Sequence, residues 1–210
     1  MTRLALADHS DAAGLRQYLE RLVALDNRAV VRLQAGGAVV GVWSGPPFEV
    51  VALKPLRLDG IGEFDATVSA QRLLDGFVDG LEFDLPETVS GPTWVGLLPP
   101  RTGWDERARG DVANIRVAID SAKEFFRQRA EGVTDRKRLE DIANDVWERA
   151  CLAEVPVRAA HAAEALGLLG PGEGDVVAYA TDVWTRLAAP GGSVAVRRGI
   201  LPSIPFFPLN

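Results

Sequence analysis

The stretch that most constrains the fold is residues 111–187, in which apolar side chains recur at helical spacing. Steps of three and four residues place the first set on one face of a helix, which predicts an amphipathic helix from Asp111. Asp135 suits the N-cap of a second helix, and Pro156 suits the first turn of a third. A fourth helix is predicted from Asp175, with apolar residues at Val176, Tyr179, Ala180, Val183, Trp184 and Leu187.

The preceding residues favour a mixed α/β arrangement. Ser10-Asp11 can cap a first helix, and the hydrophobic period then changes to that of strands. Glycine and proline turns divide the strand region into a predicted three-stranded meander. A second helix, capped by Asp65 or Ser69, follows the connection 55–62. The predicted strands are residues 29–33, 38–43, 48–53 and 93–98.

These patterns predict an α+β protein with an N-terminal antiparallel sheet and two helices, followed by a mostly helical C-terminal half. The first half covers residues 1–105 and the second covers residues 111–210, with a charged boundary near 105–110. The second half ends in a short strand, residues 193–196, and an apolar tail. The two halves form either two domains or one continuous domain.

Charge and cysteine usage limit the classes of function. The net charge is −6 and the pI about 5.0, which argues against a nucleic acid as partner because phosphate binding requires a basic surface. Cys151 is the single cysteine, so a reducing compartment is expected. No apolar run approaches the roughly 20 residues of a membrane span. The sequence therefore predicts a cytoplasmic location and no membrane partner.

Catalytic and cofactor signatures are weak. One cysteine and two histidines supply few metal ligands, so we expect no metal and no cofactor. The segment 41–45 resembles a nucleophile elbow but lacks the glycine two residues before Ser44. Cys151 falls in a predicted apolar helix face, which favours inert packing. These observations favour a protein that is not an enzyme.

One alternative is a winged-helix DNA-binding regulator. The helix around His161 would support a reading helix from Asp175, and a β-ribbon would follow. Its candidate phosphate contacts are Arg186, Arg197 and Arg198. The acidic start of the proposed reading helix opposes this interpretation.

A second alternative is a small-ligand-binding protein or enzyme with a pocket between the two halves. The stiff turn Pro99-Pro100-Arg101 could display Arg101 and Trp104, because both residue types are common anchors. With His161 they form the candidate ligand or partner site.

Three patches, residues 99–104 (PPRTGW), 159–167 (AAHAAEALG) and 184–198 (WTRLAAPGGSVAVRR), resemble an uncharacterised conserved family of GC-rich actinobacterial genomes. The resemblance implies a bacterial cytoplasmic protein with no established activity and supplies no site residues.

The leading hypothesis is a non-enzymatic protein that acts through self-association or partner binding. Its basis is the missing catalytic signature, the acidic composition and the apolar tail 199–210. We expect a homo-oligomer or a protein partner, with Ile204, Phe206 and Phe207 as the candidate docking residues.

Overall fold

The computed structural model describes residues 2–198. Its elements, in chain order, are β1 (Thr2–Ala5), α1 (His9–Leu25), β2 (Val30–Ser44), β3 (Val51–Ser69), α2 (Ala70–Asp75), β4 (Phe77–Asp79), β5 (Glu82–Leu85), a 3₁₀ turn (Thr93–Gly96), β6 (Asp105–Asp111), α3 (Val112–Ala130), α4 (Arg136–Trp147), β7 (Ala150–Leu152), β8 (Val155–Pro156), α5 (Val157–Ala165), β9 (Asp175–Ala180), β10 (Trp184–Ala189) and β11 (Gly192–Arg197).

A six-stranded antiparallel sheet of order β2-β3-β11-β10-β9-β6 joins the early and late parts of the chain. The joint is the pairing of β3 with β11, in which Ala52 lies opposite Val194. Gly192 permits this approach, because an added Cβ would overlap the carbonyl oxygen of Leu53, and its φ of +152° disfavours other residues. A smaller sheet, β1-β5-β4, and the hairpin β7-β8 complete the strands.

The helices α1, α3 and α5 cover one face of the large sheet, which we call the helix side. Apolar residues at three- and four-residue spacing turn toward the sheet, for example Leu15, Leu19 and Leu22 in α1. In α5 the contact residues are largely alanines, which bring that helix close to β11. Burial of these faces forms the main hydrophobic core.

Polar groups fix the helix ends and one core position. The carboxylate of Asp8 accepts a hydrogen bond from the Asp11 N–H at 2.9 Å and caps α1. This bond, with that from Ser10, lowers the pKa of Asp8 to about 2. In the core, the hydroxyls of Tyr18 and Ser44 lie 2.6 Å apart and tie α1 to the end of β2.

Several helix predictions are confirmed. Asp111 caps α3 and Asp135 caps α4, and α5 begins directly after Pro156. Ser69 caps α2, although this helix ends at Asp75. The first helix begins earlier than predicted, after Asp8 instead of Ser10-Asp11.

The predicted fold class is wrong, because the C-terminal half is not mostly helical. The predicted fourth helix is the strand pair β9 and β10, and four strands of the large sheet come from residues after 104. The fold is a mixed one organised by this sheet. The short strand near 193–196 is present as β11.

The predicted meander is also wrong in detail. The chain does not turn at Ala35-Gly36-Gly37, since β2 continues through these residues with a register shift between Gly37 and Val39. The supposed connection 55–62 belongs to β3, and the supposed strand 93–98 contains a 3₁₀ turn. Cys151 lies in β7 and not in a helix.

Candidate functional site

The face of the large sheet opposite the helices, which we call the outer face, has its own apolar cluster. Trp43, Val51, Trp184 and Ala195 are buried there. They alternate along their strands with residues that point to the helix side, so the sheet is apolar on both faces.

The segment 88–104, which we call the linker segment, covers this cluster. Trp94, Leu98 and Trp104 pack against it. The Trp94 ring lies so close to Gly45 that an added Cβ would meet it at 2.7 Å. The guanidinium of Arg32 also donates to the carbonyl of Val95, which ties the segment to β2. Since the linker segment lies between β5 and β6, it connects the early and late strands across the outer face.

At the end of the linker segment, Trp104 meets Arg186 of β10. The Trp104 indole N–H donates to the Pro100 carbonyl at 2.8 Å, which fixes the ring on its turn. The Arg186 guanidinium carbon lies 4.3 Å from the Trp104 ring centroid and 4.8 Å from that of Tyr179. Tyr179 lies directly opposite Arg186 in the β9–β10 register. Two aromatic rings therefore hold one cation through cation–π contacts.

Arg186 has no anionic partner within residues 2–198. No hydrogen bond or ion pair engages its guanidinium there, and its Nε is buried without an acceptor. Burial lowers the pKa of the Arg186 guanidinium, an effect that Tyr179 partly opposes. Glu106 lies opposite Tyr179, but both of its carboxylate oxygens accept from Arg109 at 2.7 Å. Among the described residues, the site is thus a positively charged group without a counter-ion.

The three residues predicted to form a ligand site do not come together. Arg101 and Trp104 lie on the outer face, where Arg101 reaches Gln34 at 3.5 Å. His161 belongs to α5 on the helix side, with its ring stacked on Trp147 at a centroid distance of 5.0 Å. Burial lowers the pKa of His161 from 6.5; Lys123 adds to this and Glu164 opposes it.

Of the three arginines of the winged-helix hypothesis, Arg186 and Arg197 are neighbours on the outer face and Arg198 is not. The predicted reading helix from Asp175 is strand β9, so the arrangement that would insert a helix into a groove does not exist. Arg197 is exposed and lies opposite Trp184 on the outer face. Arg198 pairs instead with Glu154 at 3.3 Å.

The two edges of the large sheet differ strongly. β6 forms one edge and is a run of charged residues, DERARGD. β2 forms the other, and between Val39 and Ser44 it carries no charge. Within residues 2–198, no strand besides β3 pairs with β2.

Metal, thiol and membrane chemistry have little support in the described part of the chain. Residues 2–198 contain no group of three or more histidine, cysteine, aspartate or glutamate residues placed to hold a metal ion. Burial raises the pKa of the Cys151 thiol to about 11, and the thiol donates to the Val155 carbonyl. No helix within these residues has the length and apolar character of a membrane span. The candidate docking residues Ile204, Phe206 and Phe207 lie outside the described residues.

Two family models match the sequence, and neither carries a function. Residues 1–96 match the "Domain of unknown function (DUF8010)", and residues 99–201 match the "Domain of unknown function (DUF8185)". The expectation of an uncharacterised family agrees with both, although neither description names a group of organisms. No curated protein matches the chain at a significant level.

Among solved structures, the chain is similar to bacterial sliding clamps. A sliding clamp (DNA polymerase III subunit beta) from Bartonella birtlesii bound to griselimycin gives a TM-score of 0.56 at 14% identity, over 96% of this chain and 66% of the clamp. A DNA polymerase sliding clamp from Caulobacter crescentus gives 0.56 at 12% identity, over 96% and 67%. One from Pseudomonas aeruginosa gives 0.52 at 13% identity, over 91% and 64%. The chain therefore has the clamp fold and spans about two thirds of the length of these clamps.

Proposed function

We propose that this chain is a non-catalytic subunit of a protein assembly, and that it pairs with a second copy of itself through the free edge of β2. The observation that carries this proposal is the difference between the two edges of the large sheet. An unpaired edge strand exposes a row of backbone donors and acceptors that can bind another strand.

The β6 edge is protected against such pairing and the β2 edge is not. Charged side chains on an edge strand oppose pairing, because a neighbouring strand would desolvate them. Asp105, Glu106, Arg107, Arg109 and Asp111 supply five charges within the seven residues of β6. In β2 the shift at Gly37 interrupts the edge, but it leaves the regular run Val39–Ser44.

The run Val39–Ser44 is complementary to itself. An antiparallel pairing centred on Gly41 would place Val40 opposite Val42 of the second copy on one face. On the other face it would place Val39 opposite Trp43. Every such pair is apolar and no like charges meet, which suits an interface with a two-fold axis.

The structural comparisons support a role in an assembly. The Bartonella birtlesii sliding clamp is a subunit of DNA polymerase III. At 14% identity, the likeness is one of fold alone. For this chain, the proposed role in an assembly therefore rests on its own β2 edge. A cytoplasmic location and an actinobacterial origin remain predictions that accompany this proposal.

A nucleic-acid partner is a weaker candidate because the helix side is not a basic surface. Lys123 lies 3.0 Å from Glu164 and 3.5 Å from Asp120. Arg127 pairs with Glu124. Such a surface gives little net attraction for phosphates. Salt-sensitive binding of duplex DNA by the wild-type protein would favour this candidate over self-association.

The test is Val39→Lys in the full chain, because Val39 is 48% exposed and belongs to the proposed pairing run. Burying a lysine opposite Trp43 of the second copy should weaken the dimer about tenfold, or about 1.4 kcal/mol. The matched control is Ile61→Lys, which adds the same charge at a side chain that is 90% exposed on β3. Sedimentation equilibrium measures both dissociation constants.

We expect a wild-type dimer at micromolar concentration, a weakened dimer for Val39→Lys and an unchanged one for Ile61→Lys. A wild-type monomer across the micromolar range would refute the proposal. So would a dimer that is insensitive to Val39→Lys but lost on deletion of residues 199–210, because association would then depend on the tail.

A further inference from the structure

We infer that Arg186, with its aromatic neighbours Trp104 and Tyr179, is a carboxylate-binding site for an extended acidic segment of a protein partner. This site lies on the outer face of the sheet, apart from the β2 edge. The inference therefore goes beyond self-association and does not depend on it.

The two aromatic rings already hold the Arg186 guanidinium in place, so a ligand does not have to order this side chain when it binds. Trp104 lies 4.3 Å from the guanidinium carbon and is itself held by its hydrogen bond to Pro100. Tyr179 is held by the pairing of β9 with β10. A guanidinium that stacks on a ring keeps its in-plane N–H groups available for a carboxylate.

Arg186 has no counter-ion within residues 2–198, which leaves its charge available to a ligand carboxylate. Elsewhere on the surface many arginines have carboxylate partners, such as Arg32 with Asp65 and Arg109 with Glu106. The cation–π contacts hold Arg186 in place but do not neutralise its charge. An incoming carboxylate would meet a donor that is already partly desolvated, which strengthens the ion pair.

A second arginine determines the expected distance between the two carboxylates of the ligand. Arg197 lies opposite Trp184, and Arg186 lies opposite Ala195, so the two arginines are diagonal neighbours on the outer face. The guanidinium of Arg197 forms no ion pair or hydrogen bond with residues 2–198. Diagonal neighbours lie about 7–8 Å apart. Carboxylates two residues apart on an extended peptide lie about 6.8 Å apart on the same side, which matches this spacing.

A carboxylate source is favoured over a nucleic acid. Polyphosphate binding depends on several cations along a track. Here Glu106 lies beside Tyr179, and the whole chain carries a net charge of −6. Arg186 and Arg197 are two neighbouring arginines without an ion pair within residues 2–198, which suits two carboxylates of one peptide.

The test uses fluorescein-labelled peptides and the full-length protein at low ionic strength, with fluorescence anisotropy as the readout. The probe Gly-Leu-Glu-Leu-Glu-Leu-Gly has glutamates two residues apart. The first control peptide has glutamine in place of both glutamates. The second has the two glutamates at adjacent positions. We expect the probe to bind about tenfold more tightly than the glutamine peptide. We also expect it to bind more tightly than the adjacent-glutamate peptide.

Arg186→Gln should reduce probe affinity about tenfold, and Arg197→Gln should reduce it less. Arg127→Gln makes the same charge change on α3 and should have no effect. The Arg186 Nε–Hε signal of the wild-type protein, followed by NMR, should shift on titration with the probe. This signal reports the site even if Arg186→Gln fails to fold.

Equal binding of the glutamate and glutamine peptides would overturn the inference, and so would an unmoved Arg186 signal. Tighter binding of a single-stranded DNA oligonucleotide than of the probe would replace it with nucleic-acid recognition. The Val39→Lys variant should bind the probe like the wild-type protein. Failure of the dimer proposal and failure of this one are therefore distinguishable.

Discussion

The buried contact between Tyr18 and Ser44 gives the sharpest prediction about stability. The two hydroxyls lie 2.6 Å apart, and the residues are 1% and 0% exposed. Tyr18→Phe removes one hydroxyl and leaves the other buried, where water cannot replace the lost bond. An unsatisfied buried hydroxyl costs about 1–3 kcal/mol, so each of Tyr18→Phe and Ser44→Ala should destabilise the fold by that amount.

The double variant separates the bond from the packing. With both hydroxyls removed, no unsatisfied group remains, so the double variant should lose less stability than the sum of the single variants. The assay is urea unfolding of all four proteins, with melting temperatures as a second readout. Each single variant should melt about 2–12 °C lower than wild type, at about 2–4 °C per kcal/mol for a chain of this size. Additive losses would refute the reasoning.

The same tyrosine predicts a loss of stability at alkaline pH. Burial raises the pKa of Tyr18 above its usual value of 10.0, because the interior disfavours the phenolate. The stabilising effect of the protonated form is complete below pH 10 and decreases as the pH rises above it. The slope reaches about 1.4 kcal/mol per pH unit. Tyr18→Phe should flatten this part of the stability profile, and an unchanged slope would contradict the assignment.

Two further predictions concern the sheet joint and the first helix. Gly192→Ala should destabilise the protein by about 2 kcal/mol or more, because the added Cβ would overlap the Leu53 carbonyl oxygen. The control is Gly172→Ala, where an added Cβ meets no neighbouring atom within 4 Å. This variant should leave the midpoint of urea unfolding unchanged. Because the pKa of Asp8 falls from 3.8 to about 2 on folding, its stabilising effect should be present above pH 4 and decrease as the pH falls toward 2. Asp8→Asn should keep the helix cap, but its melting temperature should depend less on pH in this range than that of the wild-type protein. The same pH dependence in both proteins would count against the role of Asp8 as the cap.

The sequence identifies elements whose signals are local. Asp135 is recognisable as an N-cap because a carboxylate before an amphipathic run satisfies free helix N–H groups, and the run from Asp111 is recognisable by its spacing. The prediction that a helix begins at Asp175 is wrong because both faces of the large sheet are covered. In β9 and β10, apolar residues therefore occur on the helix side and on the outer face. Their combined spacing then imitates a helix.

The site shows the same division between local and long-range signals. The turn before Trp104, which contains two prolines and a glycine, makes that residue a candidate anchor from sequence alone. The partner of Trp104 is Arg186, which lies 82 positions later in the chain. From the sequence, Arg186 is predicted to contact a phosphate in a winged helix. Its pairing with Tyr179 is not visible there, because it exists only when β9 and β10 are strands.

The pairing of β3 with β11 joins the two matched segments, and each segment carries one of the proposed surfaces. The family matches meet between residues 96 and 99, within the linker segment that covers the outer face. Cutting there would separate β3 from β11 and would remove Trp104 from the segment that carries Trp94. The β2 run would then lie in a two-stranded sheet that keeps α1 on the helix side but lacks Trp184 and Ala195 on the outer face. The site of Trp104, Tyr179 and Arg186 therefore lies within the second matched segment, whereas the β2 edge lies within the first.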